Sequence, residues 1–551
     1  MVTERLTQMV VAALEKVAMD GVLPADRLQE PSFERPRNRE HGDWATNIAL
    51  VASKGVGKPR DVAQAIVDAL EPSELVESVD VAGPGFLNFR LSPSWLHDVV
   101  RRAATAGDFG RSQLGAGVRV NVEFVSANPT GPLNVVSGRH AAVGDTIAAL
   151  LKATGHDVTR EYYFNDAGRQ MLLFGASVAA RYLQHFGVQA DVPEDGYKGD
   201  DVRALAEELA EQIGDALVQV DAPERDRRIL ELAWPPVLER VKRSLERFGT
   251  TFDVWFCEST LHQRGQVAVA IDRLREKGLM EEREGALWFL SSRLGDDKDR
   301  VVIRSNGEPT YIAADFGYLI DKFSRGFDRL IYLWGADHHG TIPRLMAAVE
   351  ALGFDTSAVE VPLVQIVSLV RGGEQVKASK RQGVSVALDE LVDEVGVDAA
   401  RYTFLTRSID APLEFDIDLV KEQAPENPVY YVQYAHARIC SILRKAHAEG
   451  YEPDAATAPL ERLEHPSEDE LMRKLASYEE VVPDAARLRA PQRITRYVEE
   501  LASTFSGFYR DCKVLSDDRD LSHARLALCL ATRRVLADGL GLLGVSAPDR
   551  M

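Results

Sequence analysis

The sequence predicts an α/β protein, with a parallel sheet at its centre, an α+β module before it and an all-α bundle after it. Three observations carry this expectation. Between Val118 and Phe164 an alternating apolar run, a Pro/Gly turn, a helical period and a second alternating run follow one another. From about residue 170 to 300 the chain is highly charged and mostly helix-patterned. Beyond Asn427-Pro428 four helical patterns follow in series.

Residues 1–112 form the first module. Leu6 to Val17 repeat apolar residues at helical spacing, and Phe33-Glu34-Arg35-Pro36 is strand-like. Val79 to Arg90 passes through a Gly/Pro turn into a short alternating strand. The central domain spans 113–425. Val118, Val120, Val122 and Phe124 alternate, Ala142, Val143, Ile147, Leu150 and Leu151 follow a helical period, and Gly155 suits a helix end. Val158 to Phe164 is a second strand, and a strand-helix-strand unit implies parallel neighbours. The stretch around 170–300 reads as an insertion. Strands resume at Val301–Ile303 and Leu330–Leu333, Val361–Val370 is a further apolar run, and Asp389–Leu405 is helical. In the last module, 426–551, Tyr430–Lys445, Leu471–Val481, Arg493–Phe508 and Ala524–Leu543 are helical.

The chain has 551 residues, 45% of them hydrophobic and 27% charged, as in ordinary globular proteins. No run approaches the roughly 18 apolar residues that a membrane span needs. Met1 to Leu6 lacks the basic start and apolar block of a secretory signal. Cys257, Cys440, Cys512 and Cys529 are scattered without CxxC pairing. They suggest neither a zinc site nor a disulfide framework, and they fit a reducing cytoplasm. The formal charge of -20 counts against nucleic acid as a partner, but local patches decide binding.

Two segments carry chemistry. From Val122 through Asn128, Pro129, Gly131 and Pro132 to Arg139, a strand turns into a helix whose N-terminal N–H groups suit phosphate or ribose oxygens. Gly138 would admit a ligand close to the backbone. Alone, the same segment reads sooner as a plain strand-to-helix connection. The second segment is Lys377-Ala378-Ser379-Lys380-Arg381-Gln382-Gly383, flanked by Gly372 and Gly373. Its lysines are point charges on long stems, able to follow a polyphosphate. Alone, it is a solvated basic loop.

Together, in this order and separation, the two segments resemble the ATP site of a class I aminoacyl-tRNA synthetase. Further segments are similar to the bacterial type of arginyl-tRNA synthetase: Arg160 to Gly168, Asp195-Gly196-Tyr197, Phe252 to Phe256, Gly295 to Arg300, Gly335-Ala336-Asp337-His338-His339-Gly340, Asn427 to Arg438 and Ala547 to Met551. The resemblance implies a Rossmann-like catalytic domain, a C-terminal anticodon-binding bundle and an N-terminal domain that touches tRNA. It implies activation of L-arginine by ATP with Mg2+, then transfer to tRNA(Arg), by a cytoplasmic protein that is usually monomeric. No tightly bound metal is expected. Lys377, Ser379 and Lys380 would be catalytic. Asn134, Ser137, Gly138, Lys377 and Lys380 would hold ATP. Glu123, Asn128, Tyr311, Asp315 and Asp337 would hold arginine, with Asp315 on the guanidinium. Tyr311 and Asp315 share a face if their stretch is helical. Tyr430, Tyr434, Arg438, Arg493 and Arg496 would meet tRNA, with Tyr431, Arg487 and Arg489 nearby.

The family's HIGH signature here reads Asn134-Val135-Val136-Ser137, without its histidines and glycine, and its KMSK reads KASK. Asn134 and Ser137 can donate hydrogen bonds but cannot carry charge. Arg139 and His140 follow directly. Two alternatives therefore stand beside an active ligase. One is a paralogue that binds tRNA without aminoacylating it. The other is a related nucleotidyltransferase that adenylates a small molecule.

Overall fold

The computed structural model describes the chain except Met1, Arg37, Pro129, Ala167, residues 377–385 and the side chain of Arg39. The described residues divide into two compact units. One comprises 1–109, 439–479 and 503–535, and the other 110–438, 480–502 and 536–551.

In the first unit the helix Val2–Met19 buries Leu6, Val10, Ala13, Leu14 and Val17, the stripe that its period predicts. Three antiparallel strands, β1 (Trp44–Thr46), β2 (Val76–Ala82) and β3 (Phe86–Leu91), form a sheet in the order β1-β3-β2. The Gly/Pro turn thus joins two strands of a hairpin. Phe33–Pro36 is no strand, because only Glu34 bridges to Ala45. In this unit Arg473 pairs with Asp43 and Arg102 chelates Glu479 at 2.6 and 3.0 Å.

The second unit is built on a parallel sheet of β4 (Arg119–Glu123), β5 (Asp157–Phe164), β6 (Val254–Cys257), β10 (Arg329–Tyr332) and β12 (Val359–Glu360), in the order β12-β10-β4-β5-β6. The helix Val135–Ala153 crosses from β4 to β5, and the remaining path places β10 on the other side of β4. A connection that reverses direction leaves a crevice at the carboxyl ends of the strands, between β4 and β10. The stretch read as inserted supplies β6 as well as the helices Arg169–His185, Asp200–Ile213 and Ala222–Arg247. Val301–Ile303 belongs to a separate antiparallel sheet of β7 (Met280–Arg283), β8 (Ala286–Phe289) and β9 (Arg300–Ile303). The strands β11 (Trp334–Gly335) and β13 (Leu363–Val364) pair, and β14 (Val367–Arg371) lies between β15 (Glu374–Gln375) and β16 (Leu413–Asp416).

Ile312, Phe316, Leu319, Leu330, Leu345 and Val349 meet in one apolar core against β10. Burying each large apolar side chain contributes about 1.5–3 kcal/mol. Gly396, at φ +82°, divides the helical stretch after Leu388 into Leu388–Val395 and Val397–Leu405. Towards the C-terminus five helices replace the four patterns: Pro428–Ala448, Pro466–Ala476, Tyr478–Arg487, Gln492–Asp511 and Arg519–Leu542.

Candidate functional site

At the crevice lies a cavity of about 530 Å³, within the range of small-ligand sites. Glu123 ends β4 and Tyr163 lies near the end of β5, while Tyr332 and Leu333 follow from β10. Asn128, Asn134 and Ser137 line the cavity from the turn and helix after β4. Asp315 and Tyr318 come from the helix Tyr311–Ser324, and Asp337 and His338 from the 3-10 turn after β11.

The backbone after Glu123 is strained. Val125 and Ser126 have φ of +67° and +39°, although neither is glycine. A β-branched residue rarely enters this region, and each such residue costs about 1–3 kcal/mol. The Tyr162 hydroxyl clamps the next residue, accepting from the Ala127 N–H at 3.0 Å and donating to its carbonyl at 2.9 Å. Ser126 Oγ accepts the Tyr163 amide at 3.1 Å and donates to Glu123 Oε1 at 3.2 Å. Strain held in place this way is typical of ligand sites.

The carboxylates differ in their partners. Glu123 is 6% exposed, and Lys322, fully buried, donates to its Oε2 at 2.7 Å. The Lys322 ammonium also lies 3.9 Å from the Tyr332 ring and 4.4 Å from the Tyr318 ring. Glu161, below, receives both Arg325 terminal nitrogens at 2.6 and 2.9 Å, Asn121 at 3.0 Å and the Tyr318 hydroxyl. Desolvation opposes ionisation of Glu161, but these donors outweigh it and hold its carboxyl below the usual range. Among the described residues Asp315 takes only a long bond from Arg344, at 3.3 Å. Its low-dielectric setting, with the Glu258 and Glu123 carboxylates close by, pushes it up to about 6 against the pull of Arg344. Glu258 accepts the Tyr163 hydroxyl at 2.6 Å, and burial raises its carboxyl.

The phosphate end is built differently from the expectation. Asn134 caps the helix Val135–Ala153: its Oδ1 accepts from the Ser137 amide at 3.0 Å and from Ser137 Oγ at 3.3 Å. Gly138 is not among the residues that line the cavity. A Cβ there would lie 2.6 Å from Leu388 and 3.1 Å from Phe404, so the glycine serves close packing inside the fold. Arg139 is fully buried, and its two terminal nitrogens donate to the carbonyls of Gln365, Ile366, Ser408 and Ala411, at 2.8–3.4 Å. His140 does line the cavity. Burial, with Arg139 adjacent, lowers it to about 4, so its ring is neutral at physiological pH.

The structure thus brings Glu123, Asn128, Asn134, Ser137, Asp315 and Asp337 to one cavity. Tyr311 stands apart: it is the first residue of its helix, 53% exposed, and is not among the lining residues. A shared helix face does not suffice, because the cavity reaches only the next turn. Lys377, Ser379 and Lys380 lie outside the described residues. Sequence reasoning passed over Lys322, Arg344 and Tyr318 because lone residues on a helix carry no motif. Tyr163 stood within a quoted segment, but periodicity could not assign it a role.

On the helix Pro428–Ala448 the Tyr430 and Tyr434 rings stack 6.1 Å apart. Arg438 lies over Tyr434, 5.3 Å from its ring centre, and hydrogen-bonds its hydroxyl. Arg493 and Arg496 are exposed; Arg493 pairs loosely with Asp484 at 3.8 Å, and Arg496 pairs closely with Glu500 at 2.7 Å. Arg489 is instead committed to Glu360, at 2.9 and 3.1 Å.

Comparison with known proteins agrees along the whole chain. Residues 4–91 match the model of the arginyl tRNA synthetase N terminal domain. Residues 102–409 match tRNA synthetases class I (R), catalytic domain, and 432–551 the DALR anticodon binding domain. An arginine–tRNA ligase of Moorella thermoacetica is 48% identical, covering 99% of this chain and 98% of its own. One from Carboxydothermus hydrogenoformans is 46% identical, covering 100% and 99%. In fold, the chain is similar to Thermus thermophilus arginyl-tRNA synthetase, with a TM-score of 0.76, 24% identity and full coverage of both chains.

Proposed function

We propose, for a chain that belongs to the arginyl-tRNA synthetase family, how its residues divide the ligation of arginine to tRNA with ATP. The observation that carries the assignment is Asp315, a carboxylate with one long partner set in a cavity beside Glu123 and Glu258. Such a group is suited to a guanidinium, whose planar fork can chelate it. Asp315 takes that fork, and Asp337 faces the same cavity. Glu123 keeps one oxygen on Lys322 and supplies negative charge at the wall. Asn128 serves the polar end of the amino acid, although it bonds Gln170 at 2.5 Å in this structure.

The arginine carboxylate then attacks the α-phosphorus of ATP. A carboxylate–phosphorus bond forms, the bond to the bridging oxygen breaks, and pyrophosphate leaves with Mg2+. The helix N-terminus capped by Asn134, with the Ser137 hydroxyl, attracts the phosphates. His140 supplies a neutral imidazole at the nucleotide end, the part that the missing signature histidines would otherwise play. Lys377 and Lys380 neutralise the charge that builds on the leaving group. A hydroxyl of the terminal adenosine of tRNA(Arg) next attacks the arginyl carbonyl, and AMP leaves. The Tyr430, Tyr434 and Arg438 stripe stacks on unpaired bases, with Arg493 and Arg496 on phosphates. The division into 1–112, 113–425 and 426–551 and a monomeric cytoplasmic state belong to the same reading. Among the described residues no helix is long and apolar enough to cross a membrane.

The test is arginine-dependent ATP–pyrophosphate exchange with and without tRNA(Arg). Exchange that requires the tRNA is expected, and Lys380→Ala should lower its rate strongly with little change in the KM for arginine. An unchanged rate in that variant would contradict the role of the loop. No exchange in either case, with tRNA still bound, would favour the non-catalytic paralogue.

A further inference from the structure

Asp315 and Arg344 meet in the wall of the cavity at the crevice. Arg344 stands in the first turn of the helix Ile342–Leu352, and Thr341 and Leu345 of the same segment also line the cavity. Its side chain ends in a guanidinium, the very group that an arginine substrate would bring to Asp315.

This ion pair is built unlike its neighbours. Two others join the helix Tyr311–Ser324 and the residue after it to the sheet. Lys322 meets Glu123 at 2.7 Å, and Arg325 grips Glu161 with two nitrogens, at 2.6 and 2.9 Å. Charge-assisted bonds normally close to about 2.7–2.9 Å. Arg344 reaches Asp315 with one nitrogen, at 3.3 Å. Its Nε is buried without a hydrogen-bond partner, and its guanidinium makes no other bond among the described residues. The side chains of Arg344 and Asp315 are 26% and 40% exposed, so a ligand in the cavity can reach the contact between them. Two pairs are thus locked, while the third is long, single-stranded and accessible.

We propose that Arg344 is a positioning residue that stands in for the substrate, holding Asp315 while the pocket is empty and yielding it to the guanidinium of arginine. A chelating fork makes two bonds where Arg344 makes one long bond, so the substrate displaces it. The stand-in also has a task. Glu123 at the end of β4 and Glu258 beyond β6 disfavour the Asp315 carboxylate, and Arg344 is the cation that opposes them. The Tyr163 and Tyr332 hydroxyl groups, from β5 and β10, feel the charge of Asp315 but supply none of their own at neutral pH. Lys322, on the same helix as Asp315, is committed to Glu123. Asp337, His338 and His140 line the same cavity. Arg344 therefore keeps Asp315 ionised and ready before arginine arrives. The proposal rests on the reading of Asp315 as the partner of the substrate guanidinium.

The test is calorimetry of L-arginine binding to the full chain, with tRNA(Arg) present and ATP omitted. Buffers of different ionisation enthalpy count the protons released. At pH 7 the wild type should release about a tenth of a proton per arginine, since Asp315, at about 6, is already ionised. Arg344→Gln should release about half a proton or more, because removing an adjacent cation raises a carboxyl by about one pH unit or more. Arg344→Lys keeps the charge and should release about as little as the wild type. At pH 8.5, where the carboxylate is largely ionised in each, Arg344→Gln should bind arginine a few-fold more tightly, because its competitor is gone. An equal proton count in wild type and Arg344→Gln would overturn the proposal, as Arg344 would not be what holds Asp315 ionised. Weaker binding by Arg344→Gln at pH 8.5 would also overturn it, since Arg344 would then grip the substrate instead of yielding to it. Asp315→Asn separates this proposal from the reading beneath it. Undiminished arginine binding by Asp315→Asn would overturn the reading of the cavity, whereas weakened binding there, with Arg344→Gln like the wild type, would overturn the stand-in alone.

Discussion

At the scale of single residues, the carboxylates of Glu161 and Asp315, within one unit, take different states because their partners differ. Glu161 is saturated with donors and stays ionised, while Asp315 has one long partner and sits at about 6. Removing one side of a buried, bidentate pair leaves an uncompensated charge, so Arg325→Met should destabilise the chain by about 3 kcal/mol in urea unfolding. A loss below about 1 kcal/mol would show that Glu161 re-pairs. The raised value of Asp315 also fixes a pH dependence. A guanidinium needs the ionised carboxyl, which is lost as pH falls through about 6. The KM for arginine in exchange should therefore be flat above that value and rise about tenfold per pH unit below it. A KM that stays flat down to pH 5 would mean that another carboxylate binds the guanidinium.

At the scale of elements, the helix Val135–Ala153 and the segment before it set the site. Asn134→Ala removes the cap and should lower stability by about 1 kcal/mol, whereas Asn134→Asp should keep it. Gly138→Ala drives a methyl into Leu388 and Phe404 and should cost about 1–3 kcal/mol, read in the same unfolding experiment. Tyr162→Phe keeps the ring but releases Ala127, so the strained Val125–Ser126 backbone loses its clamp. Exchange should slow while the fold, followed by circular dichroism, is retained. An unchanged rate would show that the other contacts suffice. Much of this element was legible: alternation gave β4 and β5, and the helical period gave the crossing helix. The cap and the glycine were legible as residue types but not as roles. The reading of Asn134 as a ligand donor left out its cap, and that of Gly138 as room for a ligand left out its packing on Leu388 and Phe404, because a sequence does not show which neighbour a helix face meets. Likewise Val301–Ile303 read correctly as a strand, but alternation marks a face and not a partner, so its separate sheet was hidden.

At the scale of the whole molecule, the family was legible because long segments at fixed order resist chance, and the net charge of -20 was a poor guide to partners. In the proposed reading, binding follows local groups such as the stacked Tyr430 and Tyr434 and the cation of Arg438. Tyr434→Ala should raise the KM for tRNA by about tenfold, the loss of one stacked base, with the KM for arginine unchanged. Equal tRNA kinetics would move recognition elsewhere. The two compact units were not legible, since each joins segments far apart in sequence. Nor were the closing contacts of the cavity from Lys322 and Arg344, which depend on how helices pack and not on any motif. The assignment of the cavity to arginine is tested most directly by the kinetics of Asp315→Asn in tRNA-dependent exchange. The KM for arginine should rise about a hundredfold or more while the KM for ATP stays within about twofold. An unchanged KM for arginine would contradict the assignment.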